Sequence, residues 1–136
     1  MKAIISTFIA LICAASAVIA QDKPALIGVD SLAAKPSDYS GKIVAVSGIV
    51  ERVSETKQMF TLVDASEANC ADGCQRAMIV AQLGLGQGVT RLPKAMEPAV
   101  AIGKVDTSAP AVRVTVTELI SGKEAVDAHL KQLSAK

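Results

Sequence analysis

"KIVAVSGIVERV" runs from residue 42 to residue 53 without a break in its apolar character long enough to end a strand. It is long and rich in Val and Ile, side chains that suit a pleated, half-buried surface. Gly48 stands near its middle. A glycine inside such a run marks a bulge or a sharp bend, because the missing side chain lets a sheet coil tightly. The stretch therefore reads as a long bent strand, of the kind that opens a small barrel.

Four further apolar segments follow. "MFTLVD" (59–64) lies across the polar hairpin "SETKQ", and "RAMIVAQ" (76–82) comes after a loop with two cysteines. "AVAIGKV" (99–105) again carries a glycine, Gly103. "AVRVTVTELI" (111–120) alternates most cleanly, with Val112, Val114 and Val116 facing one way and Arg113, Thr115 and Thr117 the other. The connector "LGLGQGVTRLPKAMEP" (83–98) is glycine-rich, and "LPKAM" within it suggests one short turn of helix. Downstream, "SGKEAVDAHLKQL" (121–133) places Ser121 and Glu124 three apart, a capping-box pattern. Val126, Leu130 and Leu133 then form a narrow apolar stripe at helical spacing. Upstream, Asp30 and Ser31 are N-cap residues before "LAAK", Pro36 stops that helix, and "PSDYSGK" leads by turns into the first strand.

The first twenty residues, "MKAIISTFIALICAASAVIA", combine Lys2, an apolar run and small residues at the end. That is the pattern of a secretory signal peptide, cleaved after Ala20, and the run is too short to serve as a spanning helix. Ile12 before Cys13 does not fit a lipoprotein box. The expected organisation is a signal peptide over 1–20, an N-terminal arm and short helix over 21–41, a barrel over 42–120 and a C-terminal helix over 121–136. Removal of the signal leaves 13 Lys/Arg against 13 Asp/Glu, so the exported chain has no net charge. It also leaves two cysteines, an even number suited to an oxidising compartment.

Five strands, a bent first strand and a long connector between strands three and four resemble an OB-fold, a five-stranded Greek-key barrel. The expected class is all-β with short flanking helices. "GKIVAVSGIV…FTLVD…AMIV…LP…AVAIGKV" is similar to the exported OB domains of bacteria, including the haem chaperone of cytochrome c maturation. That family holds haem through a histidine, with a nearby tyrosine, just after the last strand. Here the only histidine is His129, on the C-terminal helix, and the only tyrosine, Tyr39, precedes the barrel. The resemblance thus implies the fold and not haem delivery, and no cofactor is expected.

Single-strand nucleic-acid binders need a basic groove and exposed aromatic rings. After the signal this chain offers only Tyr39 and Phe60, and Phe60 alternates with Leu62 on the core side of its strand. Lys42, Arg52, Lys57, Arg76, Arg91, Lys94, Lys104 and Arg113 are interleaved with acids, so nucleic acid is not an expected partner. "GLGQG" (84–88) does not open a helix, which a phosphate cradle requires, and it reads as a connector. Asp64, Glu67, Asn69 and Asp72 lack the spacing of an EF-hand and read as a solvated loop. His129 flanks the stripe of the last helix and reads as a surface or rim residue.

The loop "EANCADGCQRA" (67–77) holds Cys70 and Cys74. A closed zinc site wants four Cys or His ligands, and the exported chain has three such residues, so no metal is expected. A thioredoxin-type pair has two intervening residues at a helix start; here three intervene in a loop. A structural disulfide that fixes the loop is the preferred reading, with Gly73 allowing the turn. The expected function is a non-catalytic binding or accessory module, periplasmic or secreted, that contacts a protein or small ligand. Glu67, Asn69, Asp72 and Arg76 supply its polar contacts. Two alternatives stay open: a thiol-disulfide or metal-handling protein using Cys70 and Cys74, and single-stranded nucleic-acid binding by analogy of fold.

Overall fold

The computed structural model describes residues 23–68, 77–84, 89 and 91–135. The long strand around Gly48 is β2 (Ile43–Ser54). Its first half pairs antiparallel with β5 (Pro98–Asp106), from Ile43↔Lys104 to Ile49↔Pro98. Its second half pairs with β3 (Met59–Val63), from Ile49↔Val63 to Ser54↔Met59. One bent strand thus serves both sides of the barrel. Gly48 itself stays in register opposite Ala99, and the shift in pairing falls later, between Val50 and Arg52. What Gly48 provides is room: a Cβ there would lie 2.7 Å from the Val63 carbonyl oxygen and 2.9 Å from Cγ2 of Val29.

β4 (Met78–Leu83) continues antiparallel from β3, and β6 (Arg113–Ser121) runs antiparallel to β5. Parallel pairing of β4 with β6, from Val80↔Arg113 to Leu83↔Val116, closes the barrel. Its order is β2-β3-β4-β6-β5 and back to β2. This is the expected five-stranded barrel, with one strand more. Residues 25–28 of the supposed arm form β1 (Ala25–Gly28), parallel to Val44–Ser47. β3 pairs with β2 only from Ile49 onward, so the earlier edge of β2 is left for β1 to occupy. The apolar pair Leu26-Ile27 suits that place.

The helices fall near their expected positions but are capped differently. α1 (Val29–Ala34) begins after Gly28, with Asp30 inside its first turn and no side-chain cap. Pro36 ends that helix and opens a second short one, α2 (Pro36–Tyr39), as its fixed φ permits. α3 (Lys123–Ser134) follows Gly122, and Ser121 is the last residue of β6, so the Ser121–Glu124 capping box does not form. "LPKAM" is not helical: residues 92–94 are irregular and a turn follows at Ala95-Met96, where Met96 takes φ 65°.

Alternation accounts for the core. Val44, Val46, Val50, Phe60, Leu62, Ile79, Ala81, Val114 and Val116 point inward and are buried, with Val29 and Leu32 of α1 packed among them. α3 covers the outer side, where Val126 and Leu130 pack on Ala45, Val100, Ile102 and Ile120. Among the described residues no helix is long and apolar enough to cross a membrane.

Candidate binding surface

The loop expected to carry the site begins with a built turn. Asp64 accepts hydrogen bonds from the Ser66 hydroxyl at 2.7 Å and the Ser66 N–H at 2.9 Å. Those bonds favour the charged form and hold its carboxyl below the ordinary value of 3.8. Glu67 follows, half-buried, with its N–H on the Asp64 carbonyl at 3.0 Å. Asn69, Cys70, Asp72, Cys74 and Arg76, and with them the expected disulfide, lie outside the described residues.

The outward rows of the sheet follow from the registers. Arg52, Thr61, Val80 and Arg113 stand side by side across β2, β3, β4 and β6. Met59, Gln82 and Thr115 form the next row. The Arg52 N–H donates to Thr61 Oγ1 at 3.1 Å, which takes up a backbone donor released where the pairing shifts. No aromatic ring stands in these rows. Phe60 is 1% exposed inside the barrel, and Tyr39 packs partly buried against the core.

Two clefts adjoin this face at the end of the barrel where β2 leaves and β5 enters. One, of about 870 Å³, lies between the β2–β3 turn and the connector, with Arg52, Glu51 and Glu55 on its β2 side. The other, of about 650 Å³, lies between the connector and the end of β6, with Glu97, Thr117 and Glu118 on its walls. Arg91, Leu92 and Lys94 line both, so this short segment is the ridge between them.

Backbone bonds fix the ridge. The Met96 N–H donates to the Val50 carbonyl at 2.7 Å, and the Val50 N–H donates to the Glu97 carbonyl at 2.9 Å. The Lys94 N–H donates to Glu97 Oε2 at 3.0 Å. Pro93 is buried, and Leu92 packs against the core. The apolar residues are pinned down while Arg91 and Lys94 stay exposed. Arg52, Arg91 and Lys94 then face Glu51, Glu55, Glu97 and Glu118, so the combined surface is polar and mixed in charge.

Sequence reasoning did not bring these residues together. Arg52, Arg91 and Glu118 come from three distant segments, and the one local signal was "LPKAM" in the connector, read as one short turn of helix. His129 does lie at a rim, half-buried on α3, and not beside Tyr39 on α2. Among the described residues no group of three or more His, Cys, Asp or Glu is placed to hold a metal ion.

No protein-family model and no curated protein matches the chain. Solved structures do. A chain of the S. pombe Stn1–Ten1 complex aligns over 85% of this chain and 91% of its own, with TM-score 0.54 and 13% identity. The S. pombe telomere capping protein Ten1 aligns over 83% and 95%, with TM-score 0.54 and 12% identity. The barrel is an OB-fold. The hypothetical protein ygiW from E. coli is also similar, at 20% identity over 74% of this chain and 99% of its own, with TM-score 0.46. At these identities the likeness is one of fold.

Proposed function

We propose that this chain is a binding or accessory module without catalytic machinery of its own, exported to the periplasm or beyond. It engages a polypeptide partner through the clefts on either side of Arg91–Lys94. The composition of those clefts carries the reading: three cations and four carboxylates on an open surface around one rigid ridge. A polypeptide offers both signs of charge and backbone groups at matching spacing, and such complementarity sets partner choice and register. A phosphate backbone would meet four carboxylates there and gain little.

The OB-fold neighbours include a telomere capping protein, which raises nucleic acid as the competing ligand. Base stacking on side chains needs exposed rings. Phe60 is inside the barrel and Tyr39 is packed against the core, which argues against that ligand. Export and the Cys70–Cys74 staple belong to the same reading, because a stapled loop after β3 would extend a fixed surface from the barrel. The resemblance to the haem chaperone, on this reading, is confined to the barrel.

The test places a photo-reactive residue at position 91 and, as control, at position 131 on the exposed side of α3. A discrete protein adduct from position 91 alone, lost when Arg52→Glu and Lys94→Glu are combined, supports the proposal. Salt-sensitive binding of an oligo-dT single strand, with no protein adduct, refutes it.

A further inference from the structure

Beneath α3 lies a further cavity of opposite character, which meets the cleft beside β6 at Glu118. Val126 and Leu130 seat the helix on the outer face of β5 and β6. One turn farther along, helix and sheet stand apart around a cavity of about 210 Å³. Ala45 and Ile102, which are 1% and 8% exposed, form its floor. Leu133 and Pro24 form its walls, and Lys23, Glu118 and His129 line its mouth. Its surface is mainly apolar, so water within it would find few partners.

His129 is the residue out of pattern. On α3 the positions Val126, Leu130 and Leu133 run along the buried stripe, and position 129, three after Val126, adjoins it. An apolar side chain there would fill the gap. An imidazole puts a hydrogen-bonding edge over an apolar floor, and His129 has no hydrogen-bond partner among the described residues. A cavity with an apolar floor and a polar mouth fits an amphiphile rather than a plain hydrocarbon. An engineered apolar cavity of about 150 Å³ holds benzene, so one somewhat larger holds a ring with two or three further atoms. Lys23 and Glu118 balance in charge at the mouth, which favours a neutral head group.

We propose that this cavity is a binding site for a neutral single-ring or indole-sized aromatic that carries one N–H or O–H donor. The ring lies on Ala45 and Ile102 against Leu133. The donor faces His129 and Glu118 at the mouth.

Indole is the probe, titrated into the full exported chain and followed by backbone-amide NMR. A ligand of nine heavy atoms should bind with a Kd on the order of 0.1–1 mM. Saturable shifts centred on Ala45, Ile102, Glu118, His129 and Leu133 are expected. N-methylindole, which lacks the donor, should bind at least about fivefold more weakly. Leu133→Trp, a half-buried position on the last turn of α3, should fill the cavity and remove the shifts while the rest of the spectrum is kept. No saturable shift, shifts centred on Arg91–Lys94, or equal binding of indole and N-methylindole would each overturn the proposal. The comparison of the two indoles needs no variant, so it stands even if Leu133→Trp disturbs the helix.

Discussion

Gly103→Ala is the substitution that tests the barrel closure most directly. Gly103 lies opposite Val116 where the β5–β6 pairing shifts register. An added Cβ would run into the Thr115 carbonyl oxygen, 2.7 Å from its carbonyl carbon and 2.9 Å from Cα of Val116. All three are backbone atoms, so no side chain can swing aside. Overpacking costs about 1–3 kcal/mol when side chains can adjust, and the upper end applies where strands must separate. Val116 also pairs with Leu83, so displacement of β6 is felt at the β4–β6 closure. A loss of about 3 kcal/mol is expected, against a total of roughly 6–15 kcal/mol for a domain of this size. In urea that lowers the midpoint by about 1.5–2 M, and in thermal melts by about 10–20 °C. The reference is Gly41→Ala, where φ is +74° and no atom lies within 4 Å of the new methyl. It should cost about 1 kcal/mol, from left-handed backbone alone. Equal midpoints for the two variants would refute the claim that Gly103 is needed for close approach.

The Asp64 carboxyl should titrate below its ordinary 3.8, and Ser66→Ala should move it back upward, as read by side-chain NMR. Because the folded value is depressed, its stabilising effect is present above 3.8 and is lost as pH falls through the lower folded value. Ser66→Ala should therefore flatten the acid limb of the stability curve. Replacing Cys70 and Cys74 with serine should cost about 2 kcal/mol if they close a five-residue loop. A reduction potential below about −300 mV would accompany such a structural bond, and free thiols or a value near −200 mV would favour the redox alternative.

The barrel was legible because its strands are amphipathic on a period of two. Val112, Val114 and Val116 predicted a one-sided strand; Val114 and Val116 are buried in β6, and Val112, just before it, packs against the same core. Gly48 and Gly103 were legible as special positions, but only the three-dimensional neighbours tell which need each meets. Gly103 sits at a shift in pairing, whereas Gly48 keeps register and admits Val63 and Val29. β1 was missed because a four-residue run has too few positions to show alternation, and its pairing depends on where β3 stops. The capping box failed because Ser121 is spent in β6, whose pairing with Ala99 outweighs a side-chain cap.

The candidate site was much less legible, for a physical reason. A core residue announces itself through periodicity, since burial repeats with the geometry of its own strand. A cleft residue obeys no local period. Arg52 and Glu118 become neighbours of the connector only because β2 and β6 end at the same mouth of the barrel. The connector reaches that mouth because Met96 and Glu97 bond to Val50, two residues beyond Gly48 on β2. Gly48 lines neither cleft, but a Cβ there would press on Val63 and Val29 close to the point where the ridge is bonded to β2. Gly48→Ala should accordingly displace Arg91 and Lys94 together with the barrel. Charge reversal at Arg91 and Lys94 should alter partner binding and leave the melting temperature nearly unchanged, since both are exposed. That contrast separates residues that build the surface from residues that use it.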